Sequence, residues 1–124
     1  MSEILIVEDN DKNMKLVRDV LQAKGYRTIE AVTGEDGVRL ARERRPALVL
    51  MDIQLPGING IEALRQIRAD PATASIPVIA VTASVMASDR RNIVEAGFDA
   101  YVGKPLNLRE FLDAVAKALA APRG

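Results

Sequence analysis

Leu48-Val49-Leu50-Met51-Asp52-Ile53-Gln54-Leu55-Pro56-Gly57 decides how the rest of this chain reads. Four apolar residues in succession are long enough for a strand and too short for a helix. They run into an aspartate and are stopped by Pro56-Gly57. An unbroken apolar strand is buried on both faces, as in a parallel sheet. An acid as its last residue sits at the carboxyl edge, where open α/β sheets keep their binding crevice. Asp52 is therefore the first candidate for chemistry, although an aspartate can also end a strand and cap the next turn with no further role. Whether other strands bring matching groups to the same edge separates the two readings.

Outward from this stretch, Ile4-Leu5-Ile6-Val7 is a second apolar run, ending in Glu8-Asp9, and Val78-Ile79-Ala80-Val81 a third, ending in Thr82. Arg27-Thr28-Ile29-Glu30-Ala31-Val32 mixes polar and apolar residues, as an edge strand does, and Ala100-Tyr101-Val102-Gly103, stopped by Lys104-Pro105, makes the other edge. Helical spacing fills the intervals. Met14, Val17 and Leu21 with Leu16 and Val20 form a stripe ending near Gly25, and Thr33 to Asp36 opens a second helix through Val38, Leu40 and Ala41. Ile61, Leu64 and Ile67 mark a third helix between Asn59 and Pro71. Ile93 and Val94 mark a fourth, started at Ser88 or Asp89. A fifth runs from Asn107 and Glu110 through Leu108, Phe111, Leu112, Val115 and Leu119 to a stop at Pro122 and Gly124. Five strands alternating with five helices predict an α/β fold, a (βα)5 doubly wound parallel five-stranded sheet. The flavodoxin-like order 2-1-3-4-5 puts the three most apolar strands in the middle and makes Glu8, Asp9 and Asp52 meet at one edge.

Composition narrows the function. The 124 residues are the size of one domain and leave no room for a second. Seventeen basic and seventeen acidic residues cancel, so no global field draws the chain to nucleic acid or anionic lipid. No stretch reads as a membrane span or signal peptide, and a cytoplasmic location is expected. Cysteine and histidine are both absent, which removes disulfides, thiol nucleophiles, Ser-His and Cys-His triads and most zinc sites. Any phosphohistidine chemistry needs a partner.

Three clustered carboxylates repel one another unless a cation joins them, and an all-oxygen set favours Mg²⁺. That ion keeps positions open for water and a phosphoryl oxygen. Asp52 could then attack an activated phosphorus and become an aspartyl phosphate. Thr82 offers a hydroxyl and Lys104 a long-stemmed positive charge to the phosphoryl oxygens. Singly, Thr82 reads as a strand-end residue and Lys104 as a surface lysine; jointly, each group ends a different strand of one sheet.

Glu8-Asp9, Asp52 with Leu55-Pro56 and Gly60, Thr82-Ala83, and Tyr101 three residues before Lys104-Pro105 resemble, over nearly the whole chain, a response regulator receiver domain. Two longer phrases, from Glu8 to Leu16 and from Met51 to Pro56, resemble stand-alone cell-division regulators and the receivers of hybrid sensor kinases. The resemblance implies a single receiver domain over residues 1–124 without an effector domain, serving a two-component or phosphorelay pathway, with cell-cycle or cell-division control as the expected setting. It implies that Asp52 is the phosphoacceptor, that Asp9 and Asp52 bind Mg²⁺ with the Gln54 backbone carbonyl, and that Glu8 acts through water. Thr82 and Lys104 would contact the phosphoryl group, Gln54 and Ser84 would tune its lifetime, and the Lys104-Pro105 bond would be cis. The acid pair is Glu-Asp where many receivers have Asp-Asp. The phosphodonor would be a histidine kinase or histidine phosphotransfer protein. Thr82 and Tyr101 would switch, altering the face formed by the fourth helix, fifth strand and fifth helix for a downstream protein. Val85, Met86, Arg90, Arg91 and Arg109 are candidates for its rim. Beyond its own phosphorylation and slow dephosphorylation, no enzymatic turnover is expected.

Three other classes fit the sequence less well. A haloacid-dehalogenase-like phosphatase needs a second carboxylate two residues past the nucleophile, where Gln54 stands. A nucleotide or flavin module needs a glycine-rich phosphate loop after its first strand, where Glu8-Asp9 would repel phosphate. A scaffold-only receiver would not need the intact set of acids, Thr82 and Lys104.

Overall fold

The computed structural model describes residues 2–83 and 87–120, with 87–90 as backbone alone. The chain alternates β1 (Glu3–Val7), α1 (Asp11–Ala23), β2 (Arg27–Ala31), α2 (Gly34–Arg44), β3 (Leu48–Asp52), α3 (Gly60–Ala69), β4 (Val78–Thr82), α4 (Ala87–Ala96), β5 (Ala100–Gly103) and α5 (Leu108–Ala120). All strands pair in parallel, in the order β2-β1-β3-β4-β5, as the hydropathy of the five runs predicts.

Strand alternation divides the core in two. Leu5, Val7, Val49, Met51, Val78 and Ala80 face α2, α3 and α4, where Val38, Ala41, Leu64, Ile67 and Ile93 cover them. Ile4, Ile6, Leu48, Leu50, Ile79 and Val81 face α1 and α5, under Met14, Val17, Leu21, Phe111 and Val115. Side chains of one parity along a strand share a face, so Glu8, two past Ile6, and Asp52, two past Leu50, emerge on the α1/α5 side.

Helix ends follow local chemistry. The side chains of Asn10, Thr33 and Asn59 each accept a backbone N–H in the first turn of the following helix. Gly25 has the positive φ of 88° expected just past α1, whereas α2 ends on Arg45, which takes a left-handed φ of 44° without a glycine. Several expectations need correction. β2 stops at Ala31, and Val32 beyond it is exposed; Leu16, Val94 and Leu108 also face solvent. Helical spacing alone does not say which flank of a stripe meets the sheet. α4 starts at Ala87, a residue or two before the Ser88 or Asp89 start read from sequence. The expected stop at Pro122 and Gly124 lies outside the described residues.

Candidate functional site

Sheet pairing assembles the upper, carboxyl edge. The Glu8 N–H donates to the Ala31 carbonyl (3.0 Å), setting Glu8 against the end of β2. The Ile53 N–H donates to Val81 (3.2 Å) and the Lys104 N–H to Thr82 (2.9 Å), so the ends of β3, β4 and β5 are tied side by side. Glu8, Asp9 and Asp52 each bring a carboxylate oxygen to within 4.8 Å of the others. Glu8, Asp52 and Thr82 are buried, at 4%, 5% and 2% exposure, while Asp9 is open to solvent.

Lys104 sits between two of the acids. Its Nζ lies 2.8 Å from Glu8 Oε1 and 3.0 Å from Asp52 Oδ2. The remaining oxygens are held by backbone: the Asn10 N–H donates to Glu8 Oε2 (3.2 Å) and the Gln54 N–H to Asp52 Oδ1 (3.1 Å). Burial pushes the Glu8 carboxyl above its ordinary value, and the Asp52 carboxyl beside it pushes the same way; Lys104 and the Asn10 N–H recover only part of the rise. For Lys104 burial alone would favour the neutral amine, but its bonds to Glu8 and Asp52 outweigh that and hold the ammonium above its usual value. The cluster carries more negative than positive charge. Its all-oxygen donors suit a hard divalent cation such as Mg²⁺.

Gly60 makes this geometry sterically feasible. A Cβ there would overlap the Asp52 carbonyl oxygen and lie 2.9 Å from the Ile53 Cα, so only glycine lets α3 start directly behind the strand end. The Gly60 N–H then donates to the Ile53 carbonyl (2.9 Å). Of the residues read from sequence, Glu8, Asp9, Asp52, Thr82 and Lys104 come to one edge, and Gln54 joins them through its backbone. The Lys104-Pro105 peptide is cis. Tyr101, at 39% exposure, stands along β5 on the wall of the molecule. Ser84, Val85 and Met86 lie outside the described residues, as does the side chain of Arg90; Arg91 and Arg109 are exposed. The orienting Asn10 N–H and the pairing of Lys104 with Glu8 were not read from sequence; the strand parity shared by Glu8 and Asp52 is the signal that could have suggested the latter.

Over residues 4–116 the sequence matches the family model of the response regulator receiver domain, and the chain belongs to that family. It is a receiver domain of the two-component type.

Among particular relatives, the polar-differentiation response regulator DivK of Brucella anthropi is 46% identical over 112 residues, which is 90% of this chain and 91% of the relative. DivK of Brucella ovis is 45% identical over the same extent. The receiver domain of a sensor histidine kinase from Pseudomonas aeruginosa, solved with a magnesium ion coordinated in its active site cleft, is 35% identical with a TM-score of 0.90, covering 97% of this chain and 98% of that one. No helix among the described residues is long and apolar enough to cross a membrane.

Proposed function

We propose that this chain is a phosphorylation-dependent switch, taking a phosphoryl group onto Asp52 from a phosphohistidine on a histidine kinase or histidine phosphotransfer protein. One observation carries the reading: Glu8, Asp9, Asp52, Thr82 and Lys104 come from four strand ends to one edge, with Lys104 in contact with both buried acids. An Asp52 carboxylate oxygen attacks the phosphorus, the donor's P–N bond breaks, and the freed imidazole nitrogen takes a proton from water. Glu8, Asp9, Asp52 and the Gln54 carbonyl would hold Mg²⁺, which when bound offsets charge on the transferring oxygens. Lys104 and the Thr82 hydroxyl meet the phosphoryl oxygens delivered to Asp52. Gln54 and Ser84 set the lifetime of the acyl phosphate by guiding or blocking water.

The phosphorylated form acts by binding a downstream protein through the face of α4, β5 and α5. Thr82 moves toward the phosphoryl group, and the half-exposed Tyr101 ring turns inward behind it. The likeness to the polar-differentiation response regulator DivK supports polar differentiation as the setting.

The test is intact-protein mass spectrometry after incubation with a small phosphodonor and Mg²⁺. The expected result is one base-labile phosphoryl adduct, abolished in Asp52→Asn and by chelation. Lack of an adduct in the unaltered protein, with Mg²⁺ binding shown separately, would overturn the reading. Tyr101→Ala is expected to keep full phosphorylation and to weaken binding to the downstream protein; equal binding by both phosphorylated proteins would remove Tyr101 from the switch.

A further inference from the structure

The three helices on one face of the sheet are held very unequally. α2 buries Gly34, Gly37, Val38 and Ala41, and α3 buries Gly60, Ala63, Leu64 and Ile67. Among the described side chains of α4, residues 91–96, Ile93 alone is buried, and Val94 is 61% exposed. Among these described side chains, core packing therefore contributes little to fixing α4 in place.

Among the described residues, the polar bonds that hold α4 gather at its C-terminal end. Arg68, in the last turn of α3, donates through Nη2 to the Gly97 carbonyl (3.3 Å) and to Asp99 Oδ2 (2.9 Å). Through Nη1 it also donates to the carbonyls of Ala74 (3.1 Å) and Ile76 (2.6 Å). Asp99 Oδ2 accepts the Val78 N–H as well (2.8 Å), and the Asp99 N–H returns a bond to the Val78 carbonyl (2.9 Å). One guanidinium fork thus joins the end of α3, the segment leading into β4 and the turn leaving α4. Gly97, at φ 107°, makes that turn, and Phe98 is buried directly after it. The other end of α4 follows β4, whose last residue is Thr82.

We infer that Arg68 and Asp99 are positioning residues that fix the C-terminal end of α4 as a fulcrum, so that a displacement starting at Thr82 tilts the helix about Gly97 instead of sliding it along the sheet. The inference rests on the switch reading for its direction, and on the Arg68 network alone for the anchor. A sliding helix would have to break the bonds that tie Gly97 and Asp99 to Arg68 and to Val78. A tilting one keeps them and moves the end of the helix away from that anchor.

The absence of cysteine lets nitroxide pairs be placed freely. Ala23, exposed at the end of α1, serves as the reference, paired in separate proteins with Ser88→Cys and Glu95→Cys on α4. Pulsed electron resonance then reads both distances before and after phosphorylation, with occupancy of Asp52 checked by mass. The expected result is a shift of the distance to 88 with no shift of the distance to 95. Equal shifts would overturn the fulcrum. In the untreated protein, Asp99→Asn and Arg68→Gln are expected to widen the distribution to 95 more than that to 88, each variant first shown to be folded by circular dichroism. Unchanged widths at 95 in both, or equal widening at both positions, would overturn the anchor. Failure of Asp52 to take a phosphoryl group would count against the switch reading, while the untreated proteins would still decide the anchor.

Discussion

Two cations pin opposite edges of the same sheet and are balanced in opposite ways. At the carboxyl edge the Lys104 ammonium is shared by the Glu8 and Asp52 carboxylates, with Asp9 close by. At the other edge the Arg68 guanidinium meets one carboxylate and three carbonyls, and that carboxylate also accepts a backbone N–H. The lower set closes on itself: charge is matched one to one, and its geometry is fork to oxygen, which a guanidinium suits and an ammonium does not. The upper set is left with surplus acid, and a compact ammonium on a flexible stem is what can be rearranged around an incoming cation and phosphoryl group. Matched charge here makes structure, and unmatched charge makes a site.

Removing a charge at the two edges should therefore move stability in opposite directions. The largest effect is expected at the closed one. Arg68→Ala takes the cation from the Asp99 carboxylate, which keeps the Val78 N–H, and a donor from three carbonyls; because the pair has side-chain exposures of 15% and 23%, the loss is expected at about 2–3 kcal/mol, below that of a fully buried pair. Urea unfolding in the presence of chelator measures it. Gly60→Ala comes next, at about 1–3 kcal/mol, because the added methyl must push α3 or the Asp52 carbonyl aside. It should also weaken Mg²⁺ binding, which Arg68→Ala should leave alone; equal metal affinity in Gly60→Ala and the unaltered protein would separate the helix start from the site.

Glu8→Gln is expected to give the smallest change, and in the opposite direction: the metal-free protein gains stability. Because the Glu8 carboxyl is held above its ordinary value, keeping it charged in the fold is unfavourable. That cost is complete above the raised value and disappears as pH falls through it toward the unfolded-chain value. The advantage of Glu8→Gln should thus be largest near neutral pH and shrink on acidification, in urea titrations across a pH series. Added Mg²⁺ should reverse the ranking, since the variant has lost a carboxylate. A variant less stable than the unaltered protein near neutral pH, without metal, would mean that the Glu8–Lys104 pair is net favourable and the upper edge less acid-strained than its geometry implies.

The upper edge was legible in the sequence because each of its groups ends or closely follows a strand, three of which announce themselves as apolar runs. Topology then does the rest, since β1, β3, β4 and β5 are consecutive neighbours in the sheet. The lower clamp was not legible. Arg68 and Asp99 are thirty-one residues apart, and in sequence each looks like an ordinary surface charge near a helix end. The burial of Ile93 but not Val94 was hidden for a related reason: two adjacent apolar residues leave the facing flank undetermined until the neighbouring helix is placed. Arg45 in a left-handed turn carries no local sign either, because glycine is the residue that normally marks that conformation.

Asp52 is the last paired residue of the central strand, with Val81 beside it on β4 and its predecessor Met51 against Val7 on β1. Its main chain is clamped from both sides, and Gly60 closes the space behind. A dianion delivered to that side chain, as the proposed function requires, would meet a backbone held by the neighbouring strands. The mechanical reaction would then be taken up by neighbours such as Lys104 and Thr82, with the strand end as the fixed abutment against which the surrounding parts are pushed.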